Sequence, residues 1–171
     1  MIHECSFMNV LEVFFREPTS VHFVREIGRK ISLAPTSVRN HVDALLESGM
    51  VVKRKAKPFD GYSANRDSEK FIFYKRLYNI HTTYELKKKI EEMHPRAIVL
   101  FGSYFLGEDI ESSDIDIAVL SKTRNNINFS NEEKRLGRKI NMIIMDNLGG
   151  VSESVRRKIK NGFVLHGDID G

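Results

Sequence analysis

Four residues in the second half of the chain have the types and spacing of a site that handles phosphate and metal. An apolar run, Ala97-Ile98-Val99-Leu100-Phe101, ends in Gly102-Ser103, and ten residues later Asp114-Ile115-Asp116 sits against a second apolar run. Gly102 permits a tight turn, and Ser103 can cap a short helix beginning there. Backbone N–H groups at such a turn point at an anion, and the helix dipole favours negative charge. Residues two apart on a strand face the same side. Asp114 and Asp116 are therefore expected to project together while Ile115 and Ile117 enter the core. Two neighbouring carboxylates repel each other. A divalent cation, Mg²⁺ (or Mn²⁺), offsets that repulsion by binding one or two carboxylates together with substrate phosphates. The alternative is a pair of solvated aspartates on an edge strand.

The elements that must hold these residues are legible around them. Residues 82–94 read as a helix with a Thr82/Glu85 capping box and an apolar stripe of Leu86, Ile90 and Met93, ended by Pro95. The run 97–101 is apolar throughout, as in a strand buried on both faces. Ser130 with Glu133 makes a second capping box, for a helix to about Lys139. A strand over 140–145, a helix from Ser152 to Lys160 and a short strand over 163–165 complete the half. His166 reads as a surface residue.

The first half has a different pattern. Val10, Leu11, Phe14 and Phe15 recur at helical spacing, and Pro18 stops that helix. Ser20 is placed to cap a second helix, with Phe23, Ile27 and Ile31 as its buried stripe. A third begins at Pro35, buries Val38, Val42, Leu45 and Leu46, and ends at Gly49. Thr36, Ser37, Arg39 and Asn40 lie on its other face, near the N-terminal end. Short polar donors and an arginine suit phosphates and base edges in a major groove. A basic strand, 50–55, then a polar turn, 61–67, and a second strand, 71–76, would form a hairpin. No linker rich in glycine or serine divides the halves. The boundary is placed near residue 80, giving two domains, 1–80 and 81–171, and an α+β fold.

Composition narrows the setting. The net charge of +4 is unevenly placed: residues 1–95 hold 16 Lys/Arg against 12 Asp/Glu, and residues 96–171 hold 11 against 11. The excess points to a polyanion partner for the first half, or to a solvated basic surface. Cys5 is the single cysteine, so a disulfide framework is excluded. No run approaches the roughly 20 apolar residues of a membrane span, and no signal peptide is visible. The chain is read as cytoplasmic, without a membrane partner.

Residues 5–77, centred on Leu33-Ala34-Pro35-Thr36-Ser37-Val38-Arg39-Asn40-His41 and the exit Leu45-Leu46-Glu47-Ser48-Gly49-Met50-Val51, resemble winged helix-turn-helix proteins. The resemblance implies binding of double-stranded DNA through Arg39, Asn40 and the wing residues Lys53, Arg54 and Lys55. Use of the same unit for protein contacts or for a homodimer stays open. Residues 82–168, through Gly102-Ser103, ten residues and Asp114-x-Asp116, resemble the polymerase-beta-type nucleotidyltransferases, closest to their minimal branch. That implies a small mixed sheet with helices on one face, with Ser103 and its backbone at the nucleoside triphosphate and Asp114 and Asp116 on Mg²⁺. The reaction implied is transfer of a nucleotidyl group to a hydroxyl, with two metals activating the attacking oxygen and stabilising pyrophosphate.

Two positions depart from that pattern. The family carries a third carboxylate on the following strand, where this chain has Asn141, and an asparagine cannot take a proton from the attacking hydroxyl. Asp146 would face the opposite side of that strand. Many members also place an arginine before the glycine at position 107, where this chain has Leu106; Arg135, Arg138 and Lys139 read as solvated. General-base catalysis supplies about 10²–10⁴ in rate, whereas nucleotide binding can survive its loss. Three functions follow: a nucleotidyltransferase with a DNA-binding module, a transcriptional regulator with a degenerate nucleotide-sensing domain, or, from the resemblance alone, an antitoxin-like partner of a small helical toxin.

Overall fold

A computed structural model describes residues 5–124 and 126–169. The chain divides into two units, Met1–Lys75 and Arg76–Gly171.

In the first unit α1 (Ser6–Arg16), α2 (Val24–Ile31) and α3 (Pro35–Glu47) precede a two-stranded antiparallel hairpin of β1 (Val51–Arg54) and β2 (Gly61–Ala64). Val10, Leu11, Phe14 and Phe15 of α1 meet Ile27 of α2 and Val38, Val42 and Leu45 of α3 as the buried set. Pro35 opens α3 at its first turn, and Gly49, at φ +71°, turns the chain out of it into β1. His22 pairs with Tyr62 through two backbone hydrogen bonds of 2.7 and 2.8 Å, which fastens the segment before α2 to the hairpin.

The hairpin corrects two expectations. Its second strand is Gly61–Ala64, the segment read as a turn, and residues 71–76 belong to α4 (Glu69–Thr82). The aromatic run Phe71-Ile72-Phe73-Tyr74 has strand propensity, but Phe71, Lys75 and Asn79 are the buried positions, at a helical spacing of four. Helix α2 starts three residues later than Ser20 would set it. Phe23 stands ahead of its first turn and is 38% exposed instead of joining the stripe.

The second unit is a four-stranded mixed sheet in the order β5-β4-β3-β6. Here β3 (Ala97–Phe101) is antiparallel to both β4 (Ile115–Leu120) and β6 (Phe163–Gly167), and β4 is parallel to β5 (Ile140–Met145). On one face, Ile98, Leu100, Ile115, Ile117 and Val119 pack against Leu86 and Ile90 of α5 (Tyr84–Glu91), Tyr104 and Phe105 of α6 (Gly102–Leu106), and Leu136 of α7 (Ser130–Leu136). On the other, Ala97, Val99, Ala118 and Leu120 meet Leu148 and Ile159 of α8 (Glu153–Lys160). Helices therefore cover both faces, not one. The continuous run 97–101 needs both covered, since each fully buried aliphatic side chain contributes about 1.5–3 kcal/mol.

Neither capping box forms. The Thr82 hydroxyl donates to Asn79 O at the end of α4, and α5 begins two residues later. The Ser130 hydroxyl donates to Asn128 Oδ1, while Glu133 Oε1 accepts from Ile140 N and so steers the chain into β5. Among the described residues no helix is long and apolar enough to cross a membrane.

Helices α5 and α7 are clasped by Lys89, whose ammonium donates to both Glu132 oxygens, at 2.9 and 3.0 Å, and to Asn128 O. The bond from Lys89 holds the Glu132 carboxyl below its ordinary value of 4.5. A carboxyl group whose pKa is lowered by folding stabilises the fold above its unfolded pKa, and that contribution fades as pH falls through the folded value. Glu132→Gln is expected to cost about 0.5 kcal/mol at neutral pH, small because the pair is partly solvated. The two melting temperatures should converge as pH drops below 4.5; thermal denaturation across pH checks this.

Candidate functional site

Strand β3 is apolar to its last residue, and its end is set by backbone geometry at Gly102. That residue has φ +77°, where an L side chain is strained. A Cβ at Gly102 would also collide with Asp116 Oδ2 and come within 3.2 Å of its Cγ. The carboxylate of Asp116 thus lies directly over the glycine that opens α6. Tyr104 and Phe105 anchor this short helix in the core, and Ser103 stays half-buried at its first turn.

Register brings the remaining partner. Asp116 on β4 is paired with Phe101 on one side and Asn141 on the other. Asn141 Nδ2 donates to Asp116 Oδ1 at 2.8 Å. The residue in the place of a third carboxylate is therefore already bonded to the central one. Asp116 is half-buried, and Asn141 is exposed at the sheet's edge strand.

Asp114 sits differently from its expectation. It precedes β4 by one residue, is exposed, and ends a turn in which Ser113 Oγ accepts from Ile110 N. It lines a shallow groove with Ser113, Glu133, Arg138 and Lys139. Asp116 and Asn141 are not among the residues lining that groove. Among the described residues no group of three or more His, Cys, Asp or Glu could by itself hold a metal.

Sequence reasoning missed what holds α6 and this turn in place. Asp109 is 1% exposed and accepts from Asn79 Nδ2 at 2.8 Å and from Arg138 Nη2 at 3.4 Å. Asn79 Nδ2 also donates to Tyr104 O at 2.7 Å, and the Tyr104 and Thr82 hydroxyls bond at 2.9 Å. Arg138, read as solvated, is a buried side chain, 7% exposed, that compensates Asp109. A buried carboxylate needs such a partner. Nothing in the sequence separates Asp109 from its acidic neighbours Glu108 and Glu111; only the fold does. Arg135 is exposed, as read, and donates to Thr82 O, and Leu106 is 41% exposed.

In the first unit Thr36, Arg39 and Asn40 are exposed on α3, and Ser37 is half-buried. Lys53 and Arg54 are exposed on β1, and Lys55 begins the hairpin loop. Lys53 Nζ pairs with Asp60 Oδ2 at 2.8 Å, and this bond holds the Asp60 carboxyl below its ordinary range. Arg54 Nε donates to Ser63 Oγ across the hairpin. Thr36, Arg39 and Lys53 line one hollow; Ser37, Asn40, Arg54 and Lys55 lie outside it.

Residues 84–165 match the family model for "Polymerase beta, Nucleotidyltransferase". The matched segment runs from the start of α5 into β6 and contains Gly102, Ser103, Asp114, Asp116 and Asn141. No curated protein matches the chain.

Gly102→Ala is expected to destabilise the protein by about 1–3 kcal/mol, because it combines a strained φ with a clash against Asp116. Chemical denaturation gives the magnitude. The Asn141 side-chain amide resonances should shift as Asp116 is displaced, and unchanged resonances would contradict the geometry.

Proposed function

We propose that the second unit is a nucleotidyltransferase-type domain that binds a nucleoside triphosphate with Mg²⁺, and that the first unit is a winged helix that binds double-stranded DNA. The observation that carries the first part is the packing of Asp116 against the glycine of a strand-turn-helix, inside the segment that matches the nucleotidyltransferase family model. Ser103 and backbone N–H groups at the start of α6 would orient the triphosphate. Asp114 and Asp116 would hold Mg²⁺, which when bound neutralises the developing phosphate charge and lowers the pKa of a coordinated hydroxyl.

Asn141 determines what this site does with its nucleotide. Its amide spreads no negative charge over the site and removes the repulsion a third carboxylate would bring. Turned about its terminal bond, the amide presents an oxygen to a hard cation, so ligation is retained. Proton abstraction is not, since a neutral amide has no basic oxygen of useful strength. The reading is therefore a domain that binds Mg-nucleotide well and transfers it slowly.

That balance favours a second reading: a DNA-binding regulator whose transferase-type domain senses nucleotide. The direct Asn141–Asp116 bond supports it, because a neutral amide stands beside Asp116 where a base would be needed for turnover. Exposed Arg39 and Lys53 supply the phosphate contacts of the winged helix.

Titration with Mg-ATP and Mg-GTP should show metal-dependent binding that is lost in Asp114→Ala/Asp116→Ala. Asn141→Asp should raise nucleotidyl transfer to a hydroxyl acceptor by about 10²–10⁴ where the base alone is missing. An inactive Asn141→Asp variant that still binds Mg-nucleotide would favour the sensing reading.

Duplex binding should fall steeply with salt. Arg39→Ala should lower affinity for all duplex sequences alike and reduce the log–log salt slope by about 1. An unchanged slope, read by fluorescence anisotropy, would remove Arg39 from the interface.

A further inference from the structure

The hollow at the foot of α3 has a lining that phosphate contact does not explain. It holds about 810 Å³ and lies wholly within the first unit, between the start of α2, the start of α3 and the hairpin loop. Four cations, Arg25, Arg39, Lys53 and Lys57, surround it against one carboxylate, Asp60. Lys53 is committed to Asp60, whereas Arg25, Arg39 and Lys57 form no ion pair among the described residues. Between the cations are aromatic rings. Phe59 is 66% exposed on the hairpin loop, and Phe23 is 38% exposed ahead of α2.

Phe23 is a fixed surface. A Cβ built on Gly61 would lie 3.2 Å from its Cε1, so the ring packs close to the bare backbone of β2, and its exposed part lines the hollow. Large exposed aromatics are costly to leave in water and mark a contact surface when they cluster. A duplex laid across Arg39 and Lys53 meets the cations and leaves these rings unused. A planar base removed from its stack uses both, stacking on Phe59 or Phe23 while its phosphate pairs with Arg25, Arg39 or Lys57. The volume is that of a small-molecule site and fits a single nucleotide.

We propose that this hollow binds an unstacked nucleobase together with its attached phosphate. The source is either an unpaired residue in a strand or a free nucleotide. The proposal shares Arg39 and Lys53 with the duplex-binding face described above, and it is independent of the transferase-type site. A ligand seated here lies beside Arg39 and Lys53, so it competes with duplex for the same face.

The chain contains no tryptophan, so Phe59→Trp introduces a single indole at the rim of the hollow. In the full-length protein, an oligothymidylate of about ten nucleotides should quench that fluorescence saturably by stacking. AMP is the second arm. Quenching by AMP at comparable concentration identifies a free nucleotide as the source, and quenching by the oligomer alone identifies a strand. Phe59→Ala, at an exposed position that the fold does not need, should weaken oligothymidylate binding by about tenfold. Its effect on duplex binding should be clearly smaller. Combining Phe59→Trp with Asp114→Ala/Asp116→Ala should leave the quenching in place, and loss of quenching there would assign the ligand to the other unit. Absence of quenching with both probes, or equal losses for single strand and duplex in Phe59→Ala, overturns the proposal. Quenching without any duplex binding would overturn the duplex reading alone.

Discussion

The approach of the Asp116 carboxylate to Gly102 is the constraint on which the second unit depends. It requires a residue without Cβ at the end of β3, a chain that turns at positive φ, and a β3–β4 register that sets Phe101 opposite Asp116. The parallel pairing of β4 with β5 then delivers Asn141 to the same carboxylate. Because this carboxylate is fixed from both sides, its position is a by-product of sheet register.

What surrounds that contact is divided between an apolar core on each face and one buried polar network. The network ties Asp109, Asn79, Arg138 and Tyr104 together and keeps α6 against the sheet. Its charge is compensated internally, by Arg138 against Asp109. Asn141 has the opposite character: it lies at the surface and donates one hydrogen bond to one oxygen of Asp116.

The sequence was informative where periodicity and burial agree. The run 97–101, the glycine that ends it, the three helices of the first unit and the alternation through Ile115 and Ile117 all follow from apolar spacing, and the structure has them. Asn141 stands out only because the resembled family has a third carboxylate at that place; that it lies directly beside Asp116 comes from the register of β4 with β5. Reading failed where local preference and tertiary burial part. Phe71–Tyr74 is strand-like in composition but helical in what it buries. Thr82 and Ser130 had the spacing of caps, yet their hydroxyls found nearer oxygens. Phe23 looked like core and is a rim residue. Arg138 looked solvated and is buried, because only a folded chain brings Asp109 to it. Apart from the two local bonds of Thr82 and Ser130, each of these was decided by a packing surface or a partner that only the fold supplies.

Strand β4 serves two purposes on alternate residues. Ile115, Ile117 and Val119 fill one core, while Asp116 begins the opposite face and Ala118 and Leu120 fill the other core behind it. A single residue inserted or deleted between Ile115 and Asp116 would exchange those roles at every later position at once, turning the acid toward the core that Ile117 now fills. Drift in this segment is therefore confined to substitution at constant length, and variation in length must be taken up in the turns on either side, before Asp114 or after Leu120.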